Sequence, residues 1–270
     1  MLGMISVSAQ DDDNIFTHLG ASLGVGTTGI SLDLSTNITD YVGVRAGVDF
    51  IPQVKYKTDV EIYGAKEYQS KYDSWRATLP SSVTSSVNAP VVTIPSKVDI
   101  EGKLNNTTGH LLFDLYPGSK IDWHLTLGAY FGPSKVISVY TPDGSQLRGI
   151  HEYNQFVTSN PALGADYKIG AELGDYFLEP DENGVVDASI KVAGFRPYVG
   201  IGWGRAVPKN HTLGFSFDLG CQFWGSPKVY LQDKELTTSD LDGEDGGAIK
   251  TLTKISVYPT LTLRLTGKIF

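Results

Sequence analysis

His110, Asp114 and His124 are the side chains of this 270-residue chain whose types and spacing come nearest to chemistry. If the chain reverses at Pro117-Gly118-Ser119-Lys120, antiparallel pairing sets His124 nearest Asp114. It leaves His110 about four residues further along, more than ~12 Å away. One metal ion cannot be held by both histidines without help. An Asp114 and His124 pair has the makings of a general-base dyad, but the sequence fixes no serine beside it. The competing reading is a hydrogen-bonded pair in a filled polar interior, and it is the one adopted.

The other candidates fall for stated reasons. Asp240, Asp242, Glu244 and Asp245 offer the oxygen ligands calcium takes, yet their spacing does not match the twelve-residue calcium loop. Cys221 is the single cysteine, so no internal disulfide and no cysteine-based zinc site can form. Gly26-Thr27-Thr28-Gly29 turns directly into another alternating run, whereas a phosphate-binding glycine loop must open a helix. The expectation is therefore no catalytic, cofactor-binding or metal-binding residue, and no enzyme. A formal net charge of -8 without a basic cluster argues against nucleic acid as a partner.

What must position these side chains is a set of strands. From Ile255 onward, Ile255, Val257, Leu261, Leu263, Leu265 and Ile269 alternate with Ser256, Tyr258, Thr260, Thr262, Arg264, Thr266 and Lys268, a period of two. Similar alternation marks Phe16–Gly26, Ile30–Ile38, Tyr41 to about Val54, Gly109–Tyr116, Ile121–Phe131, Ala188 to about Arg205 and Leu213–Trp224. Eight strands result, an even number as antiparallel closure requires. Charges recur on the polar faces: Asp33, Asp49, Asp114, Asp122 and Asp218 with Arg45, Arg196 and Arg264. No apolar run approaches the ~18 residues of a spanning helix.

A soluble barrel also alternates, but its apolar face points inward around a ligand. Two features favour a membrane barrel. The connections after the second, fourth and sixth strands are short, while those after the third, fifth and seventh, about 52–97, 132–187 and 231–250, are long and polar. That asymmetry belongs to transmembrane barrels with external loops. Trp123 and Phe131, Phe195 and Trp203, and Phe215 and Phe223 sit on the apolar face eight residues apart, a rise of roughly 20 Å that approaches the spacing of two aromatic girdles.

With these strands and the terminal Phe270, the chain resembles the small eight-stranded outer-membrane barrels of the OmpA and OmpX type, over about residues 16–270 and as architecture only. The polar residues Arg264, Thr266 and Lys268 stand where the usual terminal pattern is hydrophobic. The resemblance implies an all-β fold: an eight-stranded antiparallel transmembrane up-and-down β-barrel with long extracellular loops, in the cell outer membrane of a Gram-negative cell. Its partners would be the lipid bilayer, the barrel-assembly machinery and an extracellular ligand met through the loops. Residues 1–9 read as the remnant of a signal peptide, with Val7-Ser8-Ala9 as its cleavage pattern, 10–15 as a short mature tail, and 16–270 as one barrel domain. The leading function is a structural or surface-interaction role with a polar-filled lumen. A small conduit is second and a lipid-modifying enzyme third. Inside the lumen, Asp33 and Arg45 are expected to pair, and Gly200 and Gly202 to make room for Arg264.

Overall fold

The computed structural model describes residues 18–52, 54–61, 65–78, 92–104, 107–160, 168–173, 176–232, 234–236 and 254–269. The leader reading, the acidic run 240–245 and Phe270 lie outside the described residues. In chain order the elements are β1 (Leu19–Gly26), β2 (Gly29–Thr39), β3 (Val42–Phe50), β4 (Val54–Glu61), helix α1 (Ala65–Thr78), β5 (Lys97–Leu104), β6 (Thr107–Leu115), β7 (Trp123–Phe131) and β8 (Lys135–Tyr140). After a 3-10 turn (Gly144–Gln146) come helix α2 (Arg148–Ser159), β9 (Ala171–Leu173), β10 (Tyr176–Leu178), β11 (Asp187–Lys191), β12 (Phe195–Trp203), β13 (Leu213–Phe223), β14 (Lys228–Leu231), β15 (Lys234–Glu235) and β16 (Val257–Lys268).

Eight of these strands close an antiparallel up-and-down barrel in the order β1-β16-β13-β12-β7-β6-β3-β2. Its last seam is β1 on β16, from Gly20 opposite Lys268 to Gly26 opposite Thr262. Closure removes both sheet edges, which a spanning sheet must do because hydrocarbon offers no partner for an open backbone. The alternation sets the faces. Along β16, Leu261, Leu263 and Leu265 are exposed while Thr260, Thr262, Arg264 and Thr266 are buried. The barrel thus wears its apolar residues outside and its polar ones inside, the inverse of a soluble domain and the pattern of a membrane-spanning one. Trp123 lies opposite Trp203 and Phe131 opposite Phe195, so the aromatics form cross-strand pairs at the two ends of the apolar band. The Phe131 and Phe195 rings are 5.4 Å apart.

The segments read as long loops are largely folded. β15, β14, β11, β8, β5 and β4 form a second, six-stranded antiparallel sheet, and β4, β5, β8, β11 and β14 each adjoin a barrel strand in the chain. The barrel wall is prolonged beyond the apolar band by this sheet. The strand character expected at the ends of the first long connection is present in β4 and β5. The helices are a correction: α2 buries Ile150, Tyr153, Asn154, Phe156 and Val157, a helical stripe that packs with Tyr72 of α1 and with Val92, Val98 and Leu147. Two further expectations shift. The run from Ala188 to Arg205 is broken between Lys191 and Phe195 into β11 and β12, and the chain around Asn183-Gly184 is a turn stabilised by Asp181 accepting from Asn183 and Val185, not the tip of a paired hairpin.

Candidate functional site

Charged side chains gather in two places, and the lumen is the first. Inward positions of β2, β3, β6, β7, β13 and β16 place Asp33, Arg45, Asp49, His110, Asp114, His124, Asp218 and Arg264 in the interior, all buried. Arg45 meets Asp114 with Nη2 donating to Oδ1 at 2.7 Å and Nε lying 2.7 Å from Oδ2, a charge-assisted contact stronger than a neutral hydrogen bond. The same guanidinium crosses the lumen to Asp218, Nη2 2.9 Å from Oδ1. Arg264 binds Asp218 through Nη1 and Asp33 through Nε at 2.9 Å. His110 closes the chain, with Nε2 2.8 Å from Asp33 and Nδ1 2.8 Å from Asp49. Nδ1 shares a hydrogen bond with Asp49 while Nε2 lies against Asp33, so the ring stands between two carboxylates. Hydroxyls add to the network: Ser22 donates to Asp33, Thr28 to Asp49, and Thr126 to Asp114 at 2.8 Å.

Several expectations are corrected here. Asp33 lies opposite Gly47, while Arg45 lies opposite Ser35, so the proposed Asp33 and Arg45 pair does not form; each takes a partner from a different strand. Gly202 makes room for His124 and Asp218, not for Arg264: a Cβ there would stand 2.5 Å from His124 Nε2 and 2.8 Å from Asp218 Oδ1. At Gly200 the neighbour is the Tyr198 hydroxyl, and the glycine that yields to Arg264 is Gly24 on β1. Asp122 sits at the barrel mouth with its side chain 51% exposed. His110 and His124 share no carboxylate, His110 meeting Asp33 and Asp49 and His124 meeting Asp218 and Asp114, although the register sets Thr126, not His124, opposite Asp114.

His124 Nε2 is 3.0 Å from Asp218 and 3.7 Å from Asp114, and ligand atoms of these three residues lie within 4.8 Å of one another. As a metal site the trio is poor, because the two carboxylates already receive Arg45 and Arg264 and a divalent cation would enter beside two guanidiniums. As a general-base dyad it lacks a nucleophile: among the described residues no serine hydrogen-bonds to His124. What the arrangement does well is bridge opposite walls with short, fully buried ion pairs.

The ends of the lumen are also filled. At the short-turn end, the chain between β12 and β13 folds inward, burying Ala206 and Val207. Ser35 Oγ donates to Ala206 O at 2.6 Å, and Ala206 N donates to the Tyr116 hydroxyl at 2.9 Å. Arg205 stacks 4.5 Å over the Tyr116 ring and donates to the carbonyls of Asp40, Gly118, Ser119 and Ile121, tying three turns together. Towards the other end, Tyr130 and Tyr198 pack edge to face at 5.4 Å with Leu112 beside them. Beyond them Arg196 caps the carbonyls of Ala193 and Pro133 at 2.8 and 2.7 Å.

The second gathering is on the six-stranded sheet. Glu101 of β5 has a side chain only 4% exposed, with Lys55 at 3.6 Å, Lys57 at 3.6 Å and Lys103 at 3.7 Å from its oxygens. The Tyr140 hydroxyl donates to Oε1 at 2.5 Å. That hydrogen bond, more than the lysines, holds the Glu101 carboxyl below the usual glutamate range. No sequence motif announced this cluster; the signal was Lys55 and Lys57 on one face of a strand-like run, facing a partner run with Glu101 and Lys103.

No family model matches the sequence, and no curated protein does. Among solved structures, the chain is similar to Acinetobacter baumannii CarO, at 15% identity and a TM-score of 0.45 over 95% of this chain and 99% of that one. It is also similar to Acinetobacter baumannii CarO2, at 16% identity and a TM-score of 0.47 over 94% and 100%. The fold is established by the closed strand order itself.

Proposed function

We propose that this protein is an outer-membrane barrel with a sealed lumen that carries a folded platform at the cell surface, and that it acts through contacts made by the platform. The observation that carries the reading is that Arg45 of β3 crosses the lumen to Asp218 of β13 on the opposite wall, where Arg264 of the neighbouring β16 joins it. In a barrel of eight strands there is room only for side chains or a small ligand, and here ion pairs hold opposite walls together in that space. A conduit would need a continuous wet path, and an enzyme a nucleophile or substrate cleft; neither has a supporting geometry comparable to the bridge. The platform has its own core around Tyr72 and Tyr153, whose rings meet edge to face at 5.1 Å. It therefore presents a fixed surface.

The test is surface display. In a Cys221→Ala background, Tyr56→Cys, whose native side chain is exposed at the head of β4, should react with a membrane-impermeant maleimide on intact cells. Lys209→Cys, in the turn between β12 and β13, should react only after the cells are opened. The reverse pattern would overturn the orientation and the display reading with it.

A further inference from the structure

The lysines of the six-stranded sheet are placed as strand register normally avoids. Lys55 lies directly opposite Lys103, and Lys191 lies opposite Lys135 on one side and Lys228 on the other. Like charges paired across strands destabilise a sheet. The second row is partly met, Lys135 by Asp187 at 3.6 Å, Lys228 by Glu235 at 2.9 Å and Lys191 by the Tyr230 ring at 3.7 Å, so the demand for a further anion is greatest in the first. The carboxylates present do not balance the first row: Lys55, Lys57 and Lys103 share the single carboxylate of Glu101. Buried and bonded to Tyr140, Glu101 holds three ammonium groups at one point and leaves an excess of two positive charges on a chain whose net charge is -8.

The height of the rows names the partner. Lys55, opposite Lys103, is five residues past Phe50, Lys135 four past Phe131, Lys191 four before Phe195, and Lys228 five past Phe223, all four aromatics being exposed at the same end of the apolar band. At ~3.3 Å per residue and a tilt of about 40°, that places the ammonium groups up to about 10–13 Å beyond the girdle, where headgroups lie. Charge is also sorted along the strands. β4 runs from Lys55 and Lys57 near the barrel to Asp59 further out, and the distal Lys97 is bound to Asp59 at 2.8 Å.

We infer that the membrane-proximal lysines of the sheet, gathered by Glu101, bind the phosphate groups of lipid headgroups and so seat the platform on the bilayer surface. This rests on the reading of the sheet as a platform standing just above the membrane. The test uses full-length protein reconstituted in phosphatidylcholine with and without a minor share of phosphatidic acid, with lipid retention read by native mass spectrometry. That experiment does not depend on cellular orientation, so its failure is distinct from failure of surface labelling. The protein should retain phosphatidic acid in preference to phosphatidylcholine. The K55Q/K57Q/K103Q variant should lose about fivefold of that preference per lysine removed, whereas K97Q/K234Q should keep it. A K55R/K57R/K103R variant preserves the charge and should retain the lipid. If removal of three lysines from Glu101 prevents folding, K135Q/K191Q/K228Q tests the other row with the Glu101 cluster intact. Equal retention of the two lipids by the parent, or by the parent and a folded glutamine variant, would overturn the proposal. Displacement of phosphatidic acid by inorganic phosphate at matched concentration would overturn the lipid as the source of the anion.

Discussion

The lumen and the outer sheet both concentrate charge, and they do it in opposite ways. In the lumen, four carboxylates meet Arg45, Arg264 and His110 in close contacts such as Arg45–Asp114 at 2.7 Å and Arg264–Asp33 at 2.9 Å, and the members are almost wholly buried. On the sheet, three lysines stand 3.6–3.7 Å from one carboxylate and are 39–71% exposed. The first cluster is closed on itself by ion pairs and shut away from solvent. The second gathers like charges it cannot neutralise. Nearly balanced, desolvated charge serves as a brace; unbalanced, solvated charge is available to a partner.

The largest effect should come from breaking the brace. Asp218→Ala removes the carboxylate that Arg45 and Arg264 share, leaving Arg45 with Asp114 alone and Arg264 with Asp33 alone, and losing one member of a buried ion pair costs about 3–5 kcal/mol. Denaturant unfolding in lipid should show that loss. A double variant, Asp218→Ala with Arg45→Ala, should lose less than the two single losses combined, because fewer charges are left uncompensated. Additive losses would mean that Arg45 and Asp218 are independent and the brace does not exist. Next in size, Leu263→Arg puts a charge on the lipid side of the same strand that carries Arg264 and should cost about 2–4 kcal/mol of insertion. Normal folding into lipid would contradict the facing assignment. The pair of positions sharpens the contrast, since arginine is required at 264 and excluded one residue earlier.

The sheet should respond to pH through Glu101. Because Glu101 is held below its ordinary value of about 4.5, its charge stabilises the sheet above that pH. The contribution disappears as pH falls through the depressed folded value. Amide exchange in β5 and β8 should therefore quicken on acidification below about 4.5 in the parent, and do so less in Glu101→Gln. The smallest effect is expected at Lys97→Ala, whose partner Asp59 is half exposed; solvated pairs of this kind contribute under about 1 kcal/mol.

Much of the barrel was legible because a period of two states directly which side chains face which way. Leu261, Leu263 and Leu265 outside and Thr262, Arg264 and Thr266 inside needed no tertiary knowledge. The pairing of charges was not legible. The chain reverses at Asp40-Tyr41, with Thr39 opposite Val42, and not through a three-residue connection centred on Thr39, so Asp33 falls opposite Gly47 and Arg45 opposite Ser35. In so narrow a barrel a long guanidinium also reaches the opposite wall, a contact that no neighbour-strand rule describes. Helix α2 was missed for a different reason: its stripe of Ile150, Tyr153, Phe156 and Val157 runs through polar sequence inside a segment read as one loop. The Glu101 cluster lay in plain view as residue types, yet only the β4–β5–β8 register brings its lysines and Tyr140 together.

The claim on which the comparison depends is that the charged lumen is a closed brace. The most direct measurement is single-channel recording of the full-length protein in planar bilayers, beside Asp218→Ala. The parent should show no steady conductance, and openings should appear only when the Arg45–Asp218–Arg264 bridge is removed. A large steady conductance in the parent would contradict the account.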